Sequence, residues 1–134
     1  MKNLLLFIPA LISTTALLSQ DNSGNQFTLK GKVIGQDMGY VHIAYFNRQK
    51  KYINDSCFLR DGEFQFTGLV KEPIRATFYG KRKSRSVDDP NWTEIFLEPG
   101  NIAAIFRVDE FKKAQITGSK SQNDFHFLIA EWIV

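Results

Sequence analysis

An Asp-Gly pair followed by two phenylalanines on alternate residues constrains this chain more than any other feature. The stretch is Arg60-Asp61-Gly62-Glu63-Phe64-Gln65-Phe66-Thr67-Gly68. Asp-Gly supplies the positive-φ geometry that tight two-residue turns need. The phenylalanines then share one face of an extended segment, because successive side chains on a strand point to opposite sides. With Asp55-Ser56-Cys57-Phe58-Leu59 before it, the run from Asp55 to Pro73 reads as a hairpin with Cys57 near the end of its first strand. Phe64 and Phe66 are expected to point inward, with Phe27 and Phe78 as companions.

The same alternation recurs along the chain. Phe27, Leu29, Gly31 and Val33 alternate with Thr28, Lys30 and Lys32, and Gly35 to Gly39 makes a turn. Tyr40 to Phe46 alternates but is apolar on both faces, which marks a central strand. A polar turn leads into a third strand, Tyr52 to Leu59. Ile74, Ala76 and Phe78 alternate with Arg75, Thr77 and Tyr79, and the longest polar loop, from Lys81, follows. Thr93 to Glu98 is a strand, Pro99-Gly100 a tight turn, Ile102 to Val108 the returning strand, and Ala114 to Gly118 a last short strand. Strands at this spacing predict an all-β fold over residues 26–118, an antiparallel β-sandwich with Greek-key connections whose order stays open. Asp55 and Glu98 read as caps for backbone amides rather than as catalytic acids.

The first segment has Lys2 and then an apolar run from Leu4 to Leu18. That is shorter than the roughly 20 residues of a spanning helix. A charged start, a short apolar middle and small residues before a polar stretch read as a secretory signal peptide over residues 1–19. The alternative is a buried N-terminal helix or an anchor. Gln20 stands where a lipoprotein would carry cysteine, so the mature chain is expected to be soluble. Export bears on Cys57, the single cysteine, because it cannot staple its own chain. Asp55 is close by in sequence and no histidine is, so a buried packing role is expected.

The C-terminal end changes period. Ser121 is the expected N-cap with Asp124 three residues on, and Phe125, Leu128, Ile129 and Trp132 form one helical stripe over a segment at 119–134. Phe127, Ile133 and Val134 widen the apolar surface, so Phe125, Leu128, Ile129, Trp132 and Ile133 are the expected interaction surface, for an envelope protein or for self-association. The segment reads either as a truncated linker or as a short helix docked on the sheet.

Four pieces in order, Phe27 to Gly35, Asp55 to Pro73, Phe96 to Ile102 and Ile116 to Phe125, together resemble the N-terminal β domain of unknown function that precedes thioredoxin-like domains in bacterial thiol:disulfide interchange and AhpC-TSA family proteins. The resemblance implies export to the periplasm or cell envelope of a Gram-negative bacterium and an auxiliary role beside a redox domain. Relatives continue through a helical linker into a thioredoxin fold with a C-x-x-C pair, so the resemblance implies a thioredoxin-like domain as a further partner for the C-terminal stripe of Phe125, Leu128, Ile129, Trp132 and Ile133. This sequence stops before either, so the resemblance carries no redox catalysis to it.

Other signals add little chemistry. The net charge of +3 is small, and Lys81 to Arg85 reads as a solvated loop, so nucleic acid is not an expected partner. His42 and His126 lack ligand partners at metal spacing, so neither metal nor cofactor is expected. The acceptor patterns at Asn54 and Asn91 matter only in a eukaryotic secretory route. The reading is a non-catalytic accessory or interaction domain. The alternatives are a glycan- or peptide-binding module using Trp92, Tyr79 and the basic loop, or a thiol enzyme using Cys57.

Overall fold

The structure is a computed structural model that describes residues 23–124. Eight strands follow one another: β1 (Gln26–Ile34), β2 (Tyr40–Phe46), β3 (Tyr52–Phe58), β4 (Glu63–Leu69), β5 (Ile74–Tyr79), β6 (Trp92–Leu97), β7 (Gly100–Arg107) and β8 (Gln115–Thr117). They form two four-stranded sheets, in the orders β4-β1-β7-β8 and β3-β2-β5-β6. All pairings are antiparallel except β1 with β7. The expected all-β sandwich is what forms, because each strand offers an apolar face that only a second sheet can cover.

Two turns do something other than expected. Asp61 and Gly62 take φ of 51° and 78°, and Arg60 and Glu63 exchange amide bonds at 3.1 and 2.9 Å, so the local turn chemistry is as read. The flanking strands nevertheless part: β3 belongs to one sheet and β4 to the other. The turn is a corner between layers and the hairpin expectation is corrected. Leu59, 1% exposed, drops into the core just before the corner. Gly62 then accepts the Val33 amide at 2.8 Å and donates to the Asp37 carbonyl at 3.1 Å, fixing the corner to the far end of β1. Pro99-Gly100 likewise carries the chain from β6 across to β7 instead of returning it alongside β6.

A knot of rings lies between the sheets. Phe78 of β5 stacks on Phe106 of β7 with centroids 4.0 Å apart and planes 8° from parallel. Phe64 sits 5.1 Å from Phe78 and 6.0 Å from Phe106. Phe66 meets Phe78 at 6.4 Å. Phe111, on a 3-10 turn at Phe111–Lys113, closes the end at 5.7 and 5.2 Å from the stacked pair. Phe27 is fully buried at the other end of the core, edge-on to Tyr45 at 6.0 Å. The four expected core phenylalanines are therefore all inside. Gly31 makes the packing possible, since a Cβ there would lie 2.0 Å from the Ala104 carbonyl oxygen and 2.8 Å from the Phe64 ring.

Two smaller expectations shift. Cys57 is half-buried at the margin of the core rather than inside it. The C-terminal helix begins before Ser121: residues 120–124 are helical, with Ser119 accepting the Gln122 amide on its hydroxyl and the Asn123 amide on its carbonyl, both at 3.2 Å. Ser119 is the N-cap, with Gln122 completing a Ser-x-x-Gln sequence. Gln122 decides the register, because it is 2% exposed and its Oε1 accepts the Phe96 amide at 2.9 Å on the β6 edge. Glu98 accepts the Ser121 hydroxyl at 3.2 Å, so this carboxylate holds the first helical turn. The segment expected as a signal at 1–19 and the continuation expected as helix after residue 124 lie outside the described residues.

Truncating Phe78 to Ala should lower stability by about 3–5 kcal/mol through a cavity between the sheets, whereas Tyr40→Ala on the outer face should stay within about 0.5 kcal/mol. Urea denaturation of both variants checks this, and equal losses would show the ring knot to be misplaced.

Candidate functional site

The two sheets turn unlike outer faces to solvent. The first carries Glu63, Gln65, Thr67, Lys30, Lys32 and Asn101, with Leu69 and Ile105 as separate apolar residues at 59% and 37% exposure, a mostly polar surface. Register assembles aromatic rows on the second. Phe58 lies opposite Tyr40, Ser56 opposite His42, His42 opposite Tyr79, and Tyr79 opposite Trp92. At the far end Tyr52 pairs with Phe46 and Arg75 with Phe96. Between these bands runs a small or polar row of Asn54, Ala44, Thr77 and Glu94. Tyr40, Phe46, Tyr52 and Phe58 are 58%, 63%, 55% and 45% exposed, two apolar bands on one face, and exposed apolar patches rimmed by polar residues mark contact sites.

The rings order one another. His42 stacks on Tyr79 at 4.7 Å and 19°, and on Tyr40 at 6.3 Å and 25°. Phe58 meets Tyr40 edge-on at 5.2 Å, Phe46 meets Tyr52 at 5.3 Å, and the Arg82 guanidinium lies 5.9 Å from the Tyr79 centroid. A 4.7 Å separation is the spacing of neighbouring strands, so the His42 and Tyr79 rings stand upright on the sheet and show solvent their edges. Side-chain bonds fix them: His42 Nδ1 and Ser56 Oγ are 2.7 Å apart, and Asn54 Nδ2 donates to the Tyr79 hydroxyl at 3.3 Å.

A Ser–His contact of that length is also how a nucleophile meets its base. Burial holds the His42 pKa below its ordinary value, which favours the neutral ring. Among the described residues no carboxylate bonds its other nitrogen, and the ring is clamped between two tyrosines. Cys57 is directed elsewhere. It pairs with Val41 on the inner side of β2, lines an open groove of about 650 Å³ with Lys30, Lys32 and Arg60, and has Sγ 3.6 Å from the Phe58 carbonyl oxygen. The thiol and His42 therefore lie on opposite faces. On the same inner side Asp55 stands opposite Ile43; burial and this carboxylate both raise the Tyr45 pKa.

The long loop after β5 is organised from within, which its charge-rich sequence did not suggest. Asp89, 1% exposed, accepts the amides of Lys83 at 2.6 Å, Ser84 at 2.5 Å and Asn91 at 2.8 Å. Burial pushes its carboxyl pKa up, but the Asn91, Ser84 and Lys83 amides with the Ser84 hydroxyl outweigh that and leave it below the ordinary range. Asn91 is buried and bonded through both ends of its amide, to the Lys81 carbonyl, the Asp109 carboxylate and the Asp109 amide, so its acceptor pattern is internal structure. The Lys83 ammonium at 3.0 Å and the Asn91 amide hold the Asp109 carboxyl below its usual value. Lys112 donates to the Asp89 and Trp92 carbonyls. This frame sets Arg82 over Tyr79, with Nη2 bonded to the Ser86 carbonyl at 2.9 Å.

Cations bracket the aromatic face. Exposed Arg48, Lys50 and Lys51 occupy the turn between β2 and β3, and Lys81, Arg82 and Arg85 the loop at the opposite end, where β5 finishes beside His42. Tyr79 and Trp92, expected as part of a binding surface, belong to this face. Tyr40, His42, Phe46, Tyr52 and Phe58 were missed as one. The apolar character of Tyr40–Phe46 on both sides was the available signal: it marks the central strand that β2 is, and equally a strand with an exposed contact face. Phe125, Leu128, Ile129, Trp132 and Ile133 lie outside the described residues.

The family model described as "Domain of unknown function (DUF4369)" matches residues 27–125. No curated protein matches the chain.

Because the folded Asp89 pKa is depressed, its contribution to stability is complete above the unfolded value of about 3.9 and is lost as pH falls through the folded one. The melting temperature should therefore drop below about pH 4. Asp89→Asn should lower it at pH 7 and flatten that acid limb. A variant with an unaltered acid limb, followed by calorimetry from neutral pH downward, would show that the loop frame does not rest on this carboxylate.

Proposed function

We propose that this chain, which belongs to the family of the domain of unknown function DUF4369, is a non-catalytic interaction domain of an exported protein of the thiol:disulfide interchange type. The observation that carries this reading is the contrast between the two outer faces: one mostly polar with isolated Leu69 and Ile105, the other bearing ordered aromatic bands with no covering element among the described residues. An ordered apolar surface of that kind suits contact with another protein surface. The working compartment is the periplasm or cell envelope, and the natural neighbour is a thioredoxin-like domain, on the same polypeptide or on another.

The glycan-binding alternative is less well supported by the ring geometry. A sugar stacks on an open ring face, whereas the faces of His42 and Tyr79 are taken by each other, by Tyr40 and by Arg82. A peptide or protein surface has no such requirement. A thiol-enzyme reading gains little from Cys57, whose groove contains no histidine.

A thioredoxin-like domain of the interchange type, added in trans to the full mature chain, should perturb the amide resonances of β2 and β3. The double change Phe46→Ser with Tyr52→Ser should abolish that effect while leaving the melting curve in place. Perturbation confined to the polar sheet would sink the reading. So would disulfide exchange that disappears in Cys57→Ser.

A further inference from the structure

We infer that the aromatic face of the second sheet takes an acidic amphipathic segment of another protein, with apolar side chains for the two ring bands, polar ones for the row between them and carboxylates at both ends. This rests on the interaction-domain reading and adds the chemistry of the partner. β2 runs from Tyr40 to Phe46 along the centre of the face, which at about 3.4 Å per residue spans roughly 20 Å. Arg48, Lys50 and Lys51 stand at one end of that span, and Lys81, Arg82 and Arg85 at the other. Of the carboxylates near the loop, Asp89 is buried and Asp109 is bonded to Lys83, which leaves exposed Asp88 against the three cations Lys81, Arg82 and Arg85. On the face itself Glu94 pairs with Arg75 at 3.6 Å. A cationic bracket around apolar bands selects the opposite pattern, because unpaired like charges at an interface cost free energy and opposite ones steer the encounter.

Three other occupants fit worse. A second copy laid face to face would set cationic ends against cationic ends. A lipid surface would have to desolvate the polar row of Asn54, Thr77 and Glu94 through the middle of the face, which is costly without hydrogen-bonding partners. The side chains of His42 and Tyr79 are also pinned to the sheet, whereas membrane docking inserts apolar groups about 5–10 Å into the headgroup boundary. An acidic polysaccharide would meet the cations but not the closed ring faces. A helical segment of about 14 residues has the length of the span at 1.5 Å per residue, with apolar side chains for the Phe46–Tyr52 and Tyr40–Phe58 pairs.

The test is selection of a phage-displayed library of random peptides of about that length against the full mature chain. Recovered peptides should carry terminal carboxylates flanking apolar residues spaced for the two ring bands, and should shift the resonances of Tyr40, Phe46, Tyr52 and Phe58. Their affinity should fall roughly tenfold for Lys50→Glu with Lys51→Glu, and again at high salt, with the melting curve unchanged. Recovered peptides that bind this face but are neutral or basic would overturn the charge assignment and leave the interaction face standing. Peptides mapping to the polar sheet would remove both. Polygalacturonate, or vesicles of phosphatidylglycerol and phosphatidylethanolamine, perturbing the same residues more strongly than any peptide would reassign the face to a glycan or a lipid and overturn the proposal.

Discussion

Phe78 and Phe106, one from each sheet, lie ring on ring at 4.0 Å, and most of what the molecule does follows from that contact. A stack this tight fixes the distance and the slip between layers, since close-packed interiors leave little room for adjustment. Phe64 and Phe66 pack against it from β4 and Phe111 closes it from the 3-10 turn. Gly31 removes the one Cβ that would hold β7 and the Phe64 ring away from β1. With the inner face filled by aromatic rings, the outer side of β5 is set in register, and Tyr79, next to Phe78 in sequence, is delivered to the surface opposite His42.

The division of labour between the sheets follows. The first completes its pairing through the parallel contact of β1 with β7 and presents threonine, glutamine and lysine to water. The second keeps rings on both sides, and its outer ones are immobilised by stacking and by the Ser56 and Asn54 bonds. Rings fixed before a partner arrives lose less conformational entropy on contact than free ones. The buried Asp89–Asn91 frame serves the same end, since it places the arginine of a twelve-residue-scale loop, a length that usually wanders, over one tyrosine.

The strands were legible because alternation is a local property: Phe27 to Val33 and Phe64 to Phe66 reveal their inner face without reference to the rest of the chain. What Asp61-Gly62 could not reveal is which sheet receives the next strand. Its φ values are local, but the separation of β3 from β4 is decided by Leu59 finding the core and by Gly62 bonding to Val33 and Asp37. Ser119 and Ser121 are both good caps within one turn of each other, and only the buried contact of Gln122 with β6 chooses between them. Asp88 and Asp89 look alike in sequence, yet one is exposed and the other gathers three amides. The aromatic face was hidden for a different reason, because apolar residues on both sides of a strand describe a buried strand and a contact surface equally well.

Asp55 sits at the middle of β3, an edge strand, on the side that faces the interior, where its charge is felt by the Tyr45 hydroxyl. An unpaired strand edge is a template for any extended chain that drifts past. A strand added along β3 would crowd this exposed carboxylate, which keeps the Ser56 amide at 2.9 Å but would lose water, and desolvating an ion is costly. The edge that borders the stickiest surface of the molecule is thereby made a poor seed for fibrils. Ring exposure and backbone exposure are uncoupled on this sheet: its side chains stand open to solvent while a charge guards the pairing edge.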